Sequence, residues 1–214
     1  GIIELPSGNV GDRFIDWLAE NAPAQVDPVI EIEITPNRPD ALGVRGIARD
    51  LAARGLGTLK QRDVPAVEGQ FPCPISVSID EDTLDQCPVF YGRVIRGVKN
   101  GPSQDKLRAI GLRPLSFLVD VTNFFTYDRN RPLHVFDADK VAGNSLRIHR
   151  AKGGETLMGL DDKEYTFSEG MTLISDAEKV ESIAGVMGGA ESGCSMDTVN
   201  VFVEAAYFDP VRTA

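Results

Sequence analysis

The last seventy residues of the chain carry their apolar side chains in short runs: Leu146-Arg-Ile148, Glu164-Tyr-Thr-Phe167, Thr172-Leu-Ile174, Ser182 to Val186 and Val199 to Glu204. Gly, Asp and Ser punctuate them, a pattern that predicts short strands and leaves no room for a long helix. Upstream, β-like runs at Ile75–Ile79 and Val89–Val98 precede two helical stretches, one between Pro102 and Ile110 that Gly111 stops, the other from about Leu115 to Tyr127. In the second, Phe117, Leu118, Val121, Phe124 and Phe125 recur at helical spacing, so this stripe is expected in the core. Strands enclosing a pair of helices predict an α+β fold.

The first sixty residues read as a smaller α/β unit. A strand is followed by a short helix (about Asp12 to Asn21, with Trp17 and Leu18 inward), a strand at Val29–Ile34 and a Pro-rich turn. Asp40 is placed to cap the next helix, where Val44, Ile47, Ala48 and Leu51 share one face and Gly55 ends the run. The stretch 62–72 lacks periodicity and reads as a linker between a unit at 1–61 and a larger mixed domain at 73–214.

No apolar run approaches the roughly 20 residues of a membrane span, and no leader pattern is visible, so a soluble cytoplasmic protein is expected. Cys73, Cys87 and Cys194 have no histidines at zinc spacing and are expected as reduced thiols, with no metal site. The net charge of -10 argues against a broad phosphate-gripping surface. Residues 91–152 nevertheless hold twelve Lys or Arg against five Asp, a local excess suited to one polyanion end or simply to a solvated face.

Asp120, Thr122, Asn123 and His134 fall close together in sequence, at a helix and its exit loop, where such groups can hold a water molecule against an ester. His134 follows Pro132-Leu133, is expected on a loop, and can orient or deprotonate water near neutrality; an ordinary histidine bonded to backbone is equally compatible. His149, between Arg147 and Arg150, is expected to be exposed. Gly185-Val-Met-Gly-Gly189 can bring backbone close to a ligand or form a plain tight turn. Glu204 shares the strand phase of Phe202, which turns a carboxylate inward unless the strand lies at an edge.

In this order, Thr-Pro-Asn-Arg-Pro-Asp40, Asp120-Val-Thr-Asn, Pro132-Leu-His-Val-Phe-Asp137 and Ala184-Gly-Val-Met-Gly-Gly resemble the beta chain of bacterial phenylalanyl-tRNA synthetase across essentially all 214 residues, as part of its B1 domain and its B3/B4 editing domain. Gly8 to Ala24 match weakly, Asn130-Arg131 stand where Gly-Gln is usual, and Ser182 departs from the pattern before Ile-Ala-Gly. The resemblance implies hydrolysis of tyrosine wrongly attached to tRNA(Phe), with His134, Thr122 and Asn123 placing the attacking water. Glu204 would accept the tyrosine hydroxyl, and Ala184, Gly185 and Gly188 would keep the ring space open. Arg129 and Arg131 are candidate RNA contacts. It further implies an alpha-chain partner in an α2β2 tetramer, where ATP and Mg would serve synthesis, and no cofactor in this stretch. A non-catalytic RNA-binding or scaffold module is the alternative.

Overall fold

The structure, a computed structural model, describes residues 4–101 and 106–213. Near its start, α1 (Phe14–Asn21) and α2 (Val44–Ala53) are the α-helices. Trp17 and Leu18 are only half-buried. The strand expected at Val29–Ile34 does not form: Val29, Ile30 and Ile32 are 57%, 79% and 48% exposed, and among the described residues no strand pairs with this segment to satisfy its backbone. The preceding strand falls partly on residues 1–3, outside the described residues, and Glu4 and Leu5 are not in one.

Asp40 does not cap α2. It lies in a 3-10 turn, Pro39–Ala41, and Gly43 takes the cap position. Its carboxylate is held by Arg38, at 3.0 Å, and by Arg49, which keep its pKa down to about 2. Gly55 does end the helix, at φ 83°, with the Leu56 N–H donating to the Leu51 carbonyl. The apolar face of α2 stays open to solvent, with Val44 64% and Leu51 49% exposed.

The rest of the chain forms three sheets. A five-stranded sheet has the order β1 (Ser76–Ile79), β4 (Ser145–Arg150), β7 (Thr172–Ser175), β8 (Val180–Ile183), β9 (Met187–Gly188), with only the β1–β4 pair parallel. A three-stranded antiparallel sheet places β10 (Asn200–Tyr207) between β2 (Val89–Arg96) and β3 (His134–Asp137). β5 (Thr156–Met158) and β6 (Glu164–Thr166) make a hairpin. The helices of this part are α3 (Lys106–Ala109), α4 (Phe117–Arg129) and α5 (Pro210–Thr213). β3, β5 and β9 are not legible in the sequence: they are four, three and two residues long, too short to show alternation.

β10 is covered on both faces. Phe202, fully buried, packs with Phe136, Val94, Ile148 and Ile174 in the main core, while Val201 packs with Val135 and Leu118 of α4 on the other side. A Cβ at Gly92 would stand 2.1 Å from Phe202 Cζ, so the bare backbone of β2 is what lets the ring lie across it. Truncating a phenyl ring in such a position costs about 3–5 kcal/mol, a large share of the stability of an ordinary domain.

α4 carries a correction. Of its expected stripe only Leu118 is buried; Phe117, Phe124 and Phe125 are 39%, 40% and 41% exposed. The helix rests one turn on the sheet and leaves the rest outward. Its second buried residue is Asp120, whose Oδ1 accepts the Leu115 N–H at 3.1 Å, so this carboxylate ties down the approach to the helix.

Glu181, on β8, is fully buried, and burial pushes its carboxyl up to about 7 from 4.5. Folding therefore favours its acid form, a contribution present in full below about pH 4.5 and lost as pH rises toward 7. Glu181→Gln should leave the melting temperature nearly unchanged at pH 5 and raise it by about 4 °C or more at pH 8. A thermal melt at both pH values checks this; an equal shift at both would show that the carboxyl is not the acid.

Candidate functional site

The phase that buries Phe202 also turns Glu204, two residues on, to the same face of β10, where it is 6% exposed. Directly across the ladder on β3 stands His134. The sequence placed this histidine on a loop; instead Pro132 keeps the chain extended, and β10 offers that extended chain a partner beginning at His134 itself. The β8–β9 turn closes over the pair. Between these parts lies a cavity of about 450 Å³, whose walls include His134, Ser182, Gly185, Gly188, Glu204 and Phe208.

Two glycines set its shape. A Cβ at Gly188 would lie 2.3 Å from His134 Cε1, so the imidazole packs on bare backbone. Gly185 has φ +74°, and a Cβ there would meet Phe208 at 2.8 Å. Phe136 fixes the other side of the imidazole, edge to face at 4.3 Å between ring centres. The Ser182 hydroxyl donates to a backbone carbonyl, with Met187 O at 3.0 Å and Ile183 O at 3.2 Å.

The electrostatics of the pair follow from burial. His134 Nε2 is out of contact with solvent and has no hydrogen-bond partner, and burial lowers the imidazole pKa to about 4, so the ring is neutral near pH 7. Glu204 Oε2 is likewise buried and without a partner, and burial raises this carboxyl to about 7. Buried polar atoms are ordinarily satisfied, so two unsatisfied ones on facing residues of one cavity point to a ligand that bonds to both. The arrangement suits a flat apolar group with a polar tip.

Of the residues singled out in the sequence, the cavity gathers His134, Glu204, Gly185 and Gly188. Ala184 is 4% exposed in the main core and faces a separate cavity of about 290 Å³ beside Gln86 and Thr172. Thr122 and Asn123 do not line the site: α4 packs, through Leu118, on the opposite face of the sheet. The Thr122 hydroxyl donates to the Val119 carbonyl at 2.7 Å, the usual fate of a helical threonine. Arg129 pairs with Asp128 at 2.6 Å beside the groove along α2, and Arg131 sits one residue before Pro132 at the cavity wall.

Ser182, Phe136 and Phe208 were missed as site residues, although strand alternation from Phe202 through Glu204 and Ala206 carries Phe208 inward. His149 is half-buried rather than exposed, with Nε2 2.8 Å from Ser175 Oγ. Among the described residues no group of three or more His, Cys, Asp or Glu is placed to hold a metal ion, and no helix is long and apolar enough to cross a membrane.

Residues 86–214 match the B3/4 domain family. The whole chain is 72% identical to the phenylalanine–tRNA ligase beta subunit of Ruegeria pomeroyi over 218 residues, 56% to that of Cereibacter sphaeroides and 58% to that of Paramagnetospirillum magneticum, spanning 27% of each. The chain thus covers about a quarter of the length of these curated relatives. An N-terminal fragment of the phenylalanyl-tRNA synthetase beta subunit from Pyrococcus horikoshii, in a crystal structure, shares the fold with a TM-score of 0.53 at 19% identity, over 94% of this chain and 65% of that one. With the α+β architecture and the match over residues 86–214, the chain belongs to the B3/4 domain family in the form carried by phenylalanine–tRNA ligase beta subunits.

Proposed function

We propose that this chain is the editing portion of a phenylalanine–tRNA ligase beta subunit, and that its cavity hydrolyses tyrosine esterified to tRNA(Phe). The observation that carries the reading is the unpartnered, buried Oε2 of Glu204 facing the neutral His134 across one cavity. A phenol ring fits the apolar walls, and its hydroxyl satisfies Glu204. Phenylalanine would leave that carboxyl unbonded, and sites built to bond a hydroxyl reject the analogue lacking it by about four to five powers of ten.

His134, neutral near pH 7, can accept from or donate to a water at the ester without carrying charge into the pocket. Gly188 and Gly185 hold the ring space open, and Ala184 supports the turn from behind. Thr122 and Asn123, on the helix that packs against the other face of the sheet, make no direct contact with the aminoacyl group in this reading. In the same reading an alpha chain, with ATP and Mg, joins phenylalanine to the tRNA, and the local basic excess around residues 91–152 receives the acceptor end.

In a complete two-chain enzyme, Glu204→Ala should slow discharge of Tyr-tRNA(Phe) by about two orders of magnitude, the equivalent of one buried charge-assisted hydrogen bond. Timed deacylation checks this, and discharge at the wild-type rate would favour a scaffold role. Arg129 and Arg131 separate capture from chemistry. Replacing both by Ala should reduce the salt slope of tRNA binding by about 1.5 while free tyrosine binds as before. Filter binding across a salt series reads the slope, and an unchanged slope returns these arginines to the solvated surface.

A further inference from the structure

A carboxyl that only accepts a hydroxyl needs no isolation from other charges, yet Glu204 is isolated on every side. From β3 the facing titratable group is His134; from β2 the residue opposite is Gly92; β8 and β9 present Ser182 and Gly188. Cys87, just before β2, is near enough for its thiol to be raised to about 11, first by burial and then by the charge of Glu204. Tyr207, on β10 itself, borders the cavity but by strand alternation turns its side chain to the face opposite Glu204, where it is half exposed. Among the described residues no Lys or Arg lines the cavity. Without a counter-charge or a bonded donor at Oε2, burial favours the neutral acid.

A bound phenol changes this balance, because its O–H donates to a carboxylate more strongly than to a carboxylic acid. An unsubstituted phenyl ring has the opposite effect: it seals an anion among apolar groups with nothing to bond it. Resting on the reading of Glu204 as the hydroxyl acceptor, we propose that Glu204 is a proton switch in which tyrosine expels the acid proton to solvent and phenylalanine keeps it. Discrimination between the two rings is then set by pH as well as by the hydroxyl.

The raised value of about 7 for Glu204 puts the change in the neutral range, and the lowered value of about 4 for His134 keeps the histidine from titrating in the same window. Below pH 7 tyrosine meets the acid form and must release its proton. Above pH 7 the carboxylate is already formed, and phenylalanine must take a proton up. Tyrosine affinity therefore rises toward pH 7 and levels off, while phenylalanine affinity falls beyond it.

Calorimetry of the full 214-residue chain with tyrosine and with phenylalanine, from pH 5.5 to 8.5 in two buffers of different ionisation enthalpy, measures affinity and proton release together. The expected result is close to one proton released per tyrosine at pH 5.5, none with phenylalanine, and a tyrosine-to-phenylalanine affinity ratio about a thousandfold higher at pH 8.5 than at 5.5, the tenfold per pH unit that a one-proton difference between the two complexes requires. Glu204→Gln should keep a modest preference for tyrosine with no proton release and no pH dependence. A constant preference for tyrosine without proton release would overturn the switch and leave the hydroxyl reading standing. Equal affinity for both amino acids at every pH would overturn both.

Discussion

The packing of β10 on both faces is the constraint on which the rest depends. Phe202 fills the space between the two larger sheets because Gly92 gives it room, and Val201 meets α4 through Leu118. Once those residues are fixed, the alternation of the strand leaves Glu204 no choice but to point inward, and the ladder to β3 brings His134 opposite it. A buried carboxyl and a buried imidazole are costly where their polar atoms have no partner. Here the cost is carried by the hydrophobic contacts around them, and the unsatisfied atoms remain available to a ligand.

Much of this was legible in the amino-acid order, for a physical reason: period-two alternation is a local signal. The inward phase of Glu204 and the strands β4, β6, β7 and β10 follow from it, whereas the run expected at Ser182 to Val186 leaves the ladder after Ile183 and turns. The glycines of the turn were legible only as permissive residues; that Gly188 meets the His134 ring and Gly185 meets Phe208 depends on contacts between segments distant in sequence. The placing of His134 on a loop failed because β3 has no pattern of its own and exists through pairing with β10.

The misreadings around α4 and the first sixty residues share one cause. Periodicity reports which residues share a face, and says nothing of whether a partner covers that face. Phe124 and Phe125 keep helical spacing yet stay partly exposed, as do Val44 and Leu51 on α2. Val29 to Ile34 have the composition of a strand and, among the described residues, no strand to pair with. Thr122 and Asn123 lie close in sequence to His134, but the helix that bears them packs on the far side of the sheet from it. Proximity along the chain overstated the site there, while Ser182 and Phe208, remote in sequence, complete its walls.

One cavity holds Glu204 and His134 together; in the proposed reading they meet the hydroxyl and the ester of the same aminoacyl group. A crystal structure of the chain with bound tyrosine tests it most directly. The phenol oxygen is expected about 2.7 Å from Glu204 Oε2, with the ring against Gly188 and the amino-acid end toward the His134 imidazole. Tyrosine seated elsewhere, or in this cavity with its hydroxyl turned to solvent, would contradict it.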